Sequence, residues 1–171
     1  MTTKIILLLV ALTTASVGQH SQTTNKKPPV TAKYAGFYSF GNNVEKEAVG
    51  SVSVYPETDT TILFYVDICR GAPSYNMGSR YDRLKIKNGK GVYYSKQDYD
   101  KMGCKWEVTI NNKVLTIHTL EGCYDCGFGG GVIADHTYNR KDNIIPEYFI
   151  NGEGDTIFFS KKPPQEYYEG K

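Results

Sequence analysis

The chain predicts an all-β protein: an antiparallel meander of about eight strands closing into a small barrel, with a two-sheet β-sandwich as the alternative. Three observations carry this. Apolar residues recur with period two in short runs, and no segment of ten or more residues beyond the N-terminal leader carries a helical stripe. Turn chemistry separates the runs at short intervals: Pro56-Glu57-Thr58-Asp59, Asn88-Gly89 and Asn111-Asn112. Fourteen of the 171 residues are tyrosine, which favours strands and also suits contact surfaces. Closure into a barrel removes exposed strand edges. Period two alone does not choose between barrel and sandwich.

The elements follow in order. Residues 36–40 are aromatic-rich and extended. Residues 49–55 place Val52 and Val54 on one face, and after the Pro56 turn residues 61–68 form a nearly continuous apolar strand. Residues 71–81 read as a loop, with Gly71, Pro73, Asn76 and Gly78. A hairpin over 84–95 turns at Asn88-Gly89. A polar connection over 97–103 leads to a second hairpin, 105–120, on which Trp106, Val108 and Ile110 share a face. Residues 131–140 make a further strand, and 155–160 a last one.

The ends differ in character. Residues 1–18 have the parts of a secretory signal peptide: Lys4, an apolar run over 5–11, then small residues including Ser16 and Gly18. The run is too short to span a bilayer, and no later segment is long and apolar enough to do so. Residues 19–33 read as a disordered lead and 161–171 as a polar tail, leaving 34–160 as a single domain. With 20 basic and 18 acidic residues the protein is close to neutral, which argues against a nucleic-acid partner.

Cys69, Cys104, Cys123 and Cys126 are read as disulfide cysteines, because an even count in an exported chain points to staples. If the strands alternate up and down, all four meet at one pole of the meander. Three pairings are possible; Cys69–Cys104 with Cys123–Cys126 is favoured, against the two crossed alternatives. A thioredoxin-like redox site would need a helix after Cys126, and Gly127-Phe128-Gly129-Gly130-Gly131 follows instead. A zinc site would draw on Cys104, Cys123 and Cys126 with His118 or His136, but a second Cys-x-x-Cys is lacking. No catalytic residues, metal site or cofactor are assigned. His118 is expected to face solvent, and Asp135 and His136, as neighbours in a strand, to face opposite sides.

Gly36-Phe37-Tyr38, Cys69-Arg70-Gly71-Ala72, and the closing block Cys104-Lys105-Trp106 through Cys123-Tyr124-Asp125-Cys126 to Ala134-Asp135-His136-Thr137-Tyr138-Asn139-Arg140 together resemble small exported bacterial proteins with lipocalin-like, calycin-type barrels, some linked to lysozyme inhibition. Tyr38 stands where true lipocalins carry Trp. The resemblance implies a barrel and a general binding role.

The expected function is that of an exported, non-catalytic binding protein, periplasmic or extracellular. It would act as an inhibitor or immunity-type protein on a secreted partner such as a lysozyme or toxin. The candidate contact residues are Tyr75, Asn76, Arg80 and Tyr81, beside the cysteine pole. The alternative is a carrier of a small apolar ligand in the barrel mouth; an enzyme built on His118 or His136 with a carboxylate is the third reading.

Overall fold

The computed structural model describes residues 27–96 and 102–169. The signal-peptide assignment, most of the N-terminal lead and most of the 97–103 connection lie outside the described residues. Eight strands form one antiparallel sheet: β1 (Gly36–Phe40), β2 (Val49–Pro56), β3 (Thr61–Cys69), β4 (Met77–Lys85), β5 (Lys90–Ser95), β6 (Cys104–Ile110), β7 (Val114–Tyr124) and β8 (Thr137–Arg140). Their spatial order is β4-β3-β2-β1-β8-β7-β6-β5. Sequence neighbours therefore pair throughout, except at β4 and β5, and the β1–β8 ladder closes the far side through Tyr38↔Arg140 and Ser39↔Asn139. The result is a nearly closed barrel with one seam.

The alternation read from sequence sets the two faces. Val52 and Val54 of β2, with Ile62, Phe64, Val66 and Ile68 of β3, point into the barrel. Cys104, Trp106, Val108 and Ile110 do so from β6, and Leu115 and Ile117 from β7. Trp106, 1% exposed, sits at the centre, 5.1 Å between ring centroids from Tyr93 and 6.3 Å from Phe64.

The seam corrects the expected 84–95 hairpin. The Asn88-Gly89 turn is present, with both residues at positive φ, but beyond the Lys87↔Lys90 bridge no ladder pairs the two strands. Side chains span the gap instead. The Tyr93 hydroxyl donates to Asp82 Oδ2 at 2.9 Å, and Arg80 Nη2 donates to the Cys126 carbonyl at 2.7 Å. Phe128 packs where any side chain at Gly78 would stand.

Residues 77–81, expected in a loop, belong to β4, which pairs with β3 from Cys69↔Met77 to Thr61↔Lys85. The strand is inconspicuous in sequence because its inward positions are Gly78, Arg80, Asp82 and Leu84, three of them not apolar. The strand expected over 131–140 is confined to Thr137–Arg140. The segment before it runs across the cysteine pole, burying Val132 and Ala134.

Both expected solvated ends contribute to the packing. Val30–Tyr34 is a short 3₁₀ helix that buries Thr31 and Tyr34, and Val30 N–H donates to Asp59 Oδ1 at 2.8 Å. At the other end β9 (Tyr148–Ile150) and β10 (Thr156–Phe158) form a separate two-stranded sheet, followed by α1 (Pro164–Glu169). Phe149, Ile157, Phe159 and Tyr167 from this region cover Leu63, Tyr65 and Tyr81 on the outer wall, making a second apolar cluster outside the barrel. The polar reading of 161–171 missed Tyr167, whose ring packs edge-on against Tyr81 at 5.5 Å.

Candidate binding surface

All four cysteines lie at one pole, as the meander requires, but the favoured pairing does not form. Cys104 is bonded to Cys126; Cys69 and Cys123 are free thiols. β7 continues through Tyr124 in register with Cys104, which keeps Cys123 in the strand. The chain then turns, Asp125 N–H donates to the Gly103 carbonyl at 3.1 Å, and Cys126 is delivered onto Cys104. The disulfide also removes two thiols from the zinc set considered above. Among the described residues no group of three or more His, Cys, Asp or Glu side chains could hold a metal ion.

The predicted contact residues separate. Tyr75 is exposed, with φ 50°, and its hydroxyl donates to Glu45 Oε2 at 2.5 Å. Asn76 Nδ2 is tied to the Gly130 carbonyl at 2.7 Å. Arg80 turns into the seam. Tyr81 is fully buried under the C-terminal region, its hydroxyl donating to the Lys162 carbonyl at 2.9 Å. Tyr81 is therefore a packing residue, because the aromatic cluster around Phe149 and Tyr167 covers its face of β4. Among the described residues seven tyrosines are buried, inside the barrel or under the C-terminal region, which weakens their reading as contact residues.

The histidines also separate. His118 faces solvent, as expected, yet its Nδ1 lies 3.4 Å from Asp135 Oδ2. Asp135 takes the Thr119 hydroxyl at 2.5 Å and the Thr119 amide at 3.0 Å. His136 stacks on Phe40 with centroids 3.8 Å apart, and burial pushes its pKa down. The His118–Asp135 pair stands on open surface, with a 68%-exposed imidazole, and no cleft encloses it among those lined by described residues.

The barrel interior is filled. The space among Phe64, Leu84, Trp106 and Leu115 amounts to about 10 Å³, no more than one water centre requires. Two donors are buried there without partners, Trp106 Nε1 and Arg80 Nε.

A large concavity lined by described residues lies on the outer wall. Outward positions on β1, β2 and β3 beneath it include small or polar residues, Ser39, Ser51, Ser53 and Asp67, with Phe37 and Tyr65 beside them. The chain leaves β8 and crosses this wall. Lys141 N–H donates to the Phe37 carbonyl at 2.8 Å, and Asp142 Oδ1 accepts from the Phe37 and Ile144 amides at 3.3 and 3.1 Å. Phe149 then stacks on Tyr65 with centroids 3.9 Å apart. Between these two anchor points the strap stands off the serines and encloses a cleft of about 580 Å³. A second concavity of about 250 Å³ continues from its floor past Ser51 and Asp67 to Cys69.

The strap turns its apolar side chains outward. Ile144 is 71% exposed, Ile150 60% and Tyr148 49%. Isolated exposed apolar residues are ordinary, but a group within seven residues, beside a cleft, is the pattern of a contact site. Asp67 on the floor is half-buried, and burial raises its carboxyl pKa. Its carboxylate receives no hydrogen bond and no cation from the described residues. Sequence reasoning missed this site. Its one legible sign was the run Ile144-Ile145-Pro146-Glu147-Tyr148, apolar yet outside any period-two strand.

No protein-family model, curated protein or solved structure matches the chain. The class defined by the fold and the site is thus an antiparallel eight-stranded barrel with a filled interior and an external cleft. No helix among the described residues is long and apolar enough to cross a membrane.

Proposed function

We propose that this is an exported, non-catalytic, lipocalin-like binding protein, of inhibitor or immunity type, that recognises a secreted protein partner through its outer surface. The filled interior carries this reading. A barrel that carries small molecules needs an internal cavity of hundreds of Å³; here about 10 Å³ remains around Trp106. Recognition falls to the outside, where the strap over 141–150 presents exposed Ile and Tyr side chains beside the cleft of about 580 Å³. The Cys104–Cys126 disulfide suits an oxidising compartment, in keeping with the leader sequence.

The test is direct binding of the purified mature protein to a panel of purified lysozymes and secreted toxins, by calorimetry and co-elution. A complex at micromolar concentration, lost when Ile144 and Tyr148 are changed to Ser, is expected. Absence of any complex across the panel, or one indifferent to the strap, would overturn the assignment.

A further inference from the structure

We infer that the outer cleft is a receptor for a basic side chain, Lys or Arg, projecting from the protein partner; this rests on the partner-binding reading above. Of the thirteen residues lining the cleft, three are carboxylates, Asp67, Asp142 and Glu147, and none is Lys, Arg or His. The continuation past Ser51 toward Cys69 has no basic residue either. The chain as a whole is close to balanced, with 20 basic and 18 acidic residues, so a concavity this one-sided departs from the surface average.

The three carboxylates differ. Asp142 is occupied, accepting the Phe37 amide of β1 and the Ile144 amide of the strap itself. Glu147 is exposed at the rim. Asp67 is the one on the floor, opposite Ser51 in the β2–β3 register, half-buried and without a partner among the described residues. A half-buried carboxylate without a counter-charge destabilises the fold that holds it. Serines on the neighbouring strands leave the carboxylate accessible from the cleft, where a long side chain in Asp67's surroundings would have covered it.

The walls suit the stem of such a side chain. Phe37 and Tyr148, both exposed, are the aromatic rings that line the cleft and are open to a partner. Aromatic faces attract Lys and Arg heads and pack their methylene stems. The exposed Ile144 and Ile150 then meet apolar residues flanking the basic one on the partner. The site so described recognises a basic residue set among apolar neighbours.

The probe is the tripeptide acetyl-Leu-Lys-Leu-amide, with norleucine in place of lysine as the uncharged control and n-butylamine as the free amine. Each is titrated into the ¹⁵N-labelled mature protein at millimolar concentration. The lysine peptide should move the Ser51, Ser53 and Asp67 amides, bind at least tenfold more tightly than the norleucine peptide, and lose that advantage in Asp67→Asn. Phe37→Ser, at an exposed position, should weaken both peptides. Equal binding of the lysine and norleucine peptides, shifts confined to other surfaces, or no binding would overturn the inference. Binding of butylamine as tight as the lysine peptide would replace it with a small-amine site. A protein partner captured equally well by wild type and Asp67→Asn would reject this cleft while leaving the partner-binding assignment standing.

Discussion

Replacing both Cys104 and Cys126 with Ala opens a loop whose ends are 22 residues apart in sequence. On the chain-entropy relation, closing a loop of that size removes about 11 cal/mol/K from the unfolded chain, or about 3 kcal/mol at 25 °C. For a domain of this length that corresponds to a fall in Tm of about 10 °C. The loss should appear mainly as faster unfolding only if the pole forms late; the equilibrium loss holds either way. Trp106 is the sole tryptophan and is buried, so its fluorescence in a urea titration reads the transition directly. The comparison is the Cys69→Ala/Cys123→Ala protein, which keeps the bridge and should lose far less, although Cys123 is itself buried. Peptide mapping without reduction should recover Cys104 joined to Cys126. A Cys69–Cys104 crosslink, or equal losses from both double variants, would refute the assignment.

Asp67→Asn should stabilise the protein at neutral pH. The fold raises this carboxyl pKa, so its favourable contribution is complete below the unfolded value of about 3.8 and is lost as pH rises through the folded value; melting curves from pH 3 to 8 should show the variant's advantage growing with pH. His136 works in the opposite sense. Burial lowers its pKa from 6.5, so its contribution is present above that value and is lost as pH falls through the folded one. His136→Phe should flatten the stability profile between pH 5 and 7, and an unchanged slope would count against the burial argument. Tyr167→Ala should cost about 3 kcal/mol, the usual penalty for truncating a buried aromatic, and should accelerate hydrogen exchange at Tyr81, whose face it covers.

Strands with apolar inward faces were legible in the sequence. Val52, Val54, Trp106, Val108 and Ile110 all occupy the interior because each run alternates cleanly. β4 was not, since its inward residues include Gly78, Arg80 and Asp82, chosen for a seam filled by Phe128, Tyr93 and the 126 carbonyl. Those partners lie up to 50 residues away in sequence, beyond the reach of local pattern. The pole was legible for the same reason the meander was, because alternating strand direction puts Cys69, Cys104 and Cys123 at one end. The bond was not, since it depends on where β7 stops and on one turn hydrogen bond from Asp125. The cleft was hidden because a strap that covers a wall without pairing to it has no period to read. Residues 161–169 read as solvated through their lysines, prolines and glutamates, while Tyr167, packed on Tyr81, and Tyr168, whose hydroxyl accepts from the Tyr81 amide, hold them to the wall.

The seam divides the molecule unequally from the ladders. Each half of the chain, β1 to β4 and β5 to β8, is a complete four-stranded meander. The halves share the short β1–β8 ladder on one side and the Asn88-Gly89 turn on the other. The barrel is in this sense a clamshell, joined along two residue pairs on one side and, on the other, by one turn and the side chains that span the seam. A protease cut at Asn88-Gly89 severs no ladder. The two fragments would be held by the shared interior around Trp106 and by the C-terminal region, which leaves the second half and lies across the outer wall of the first.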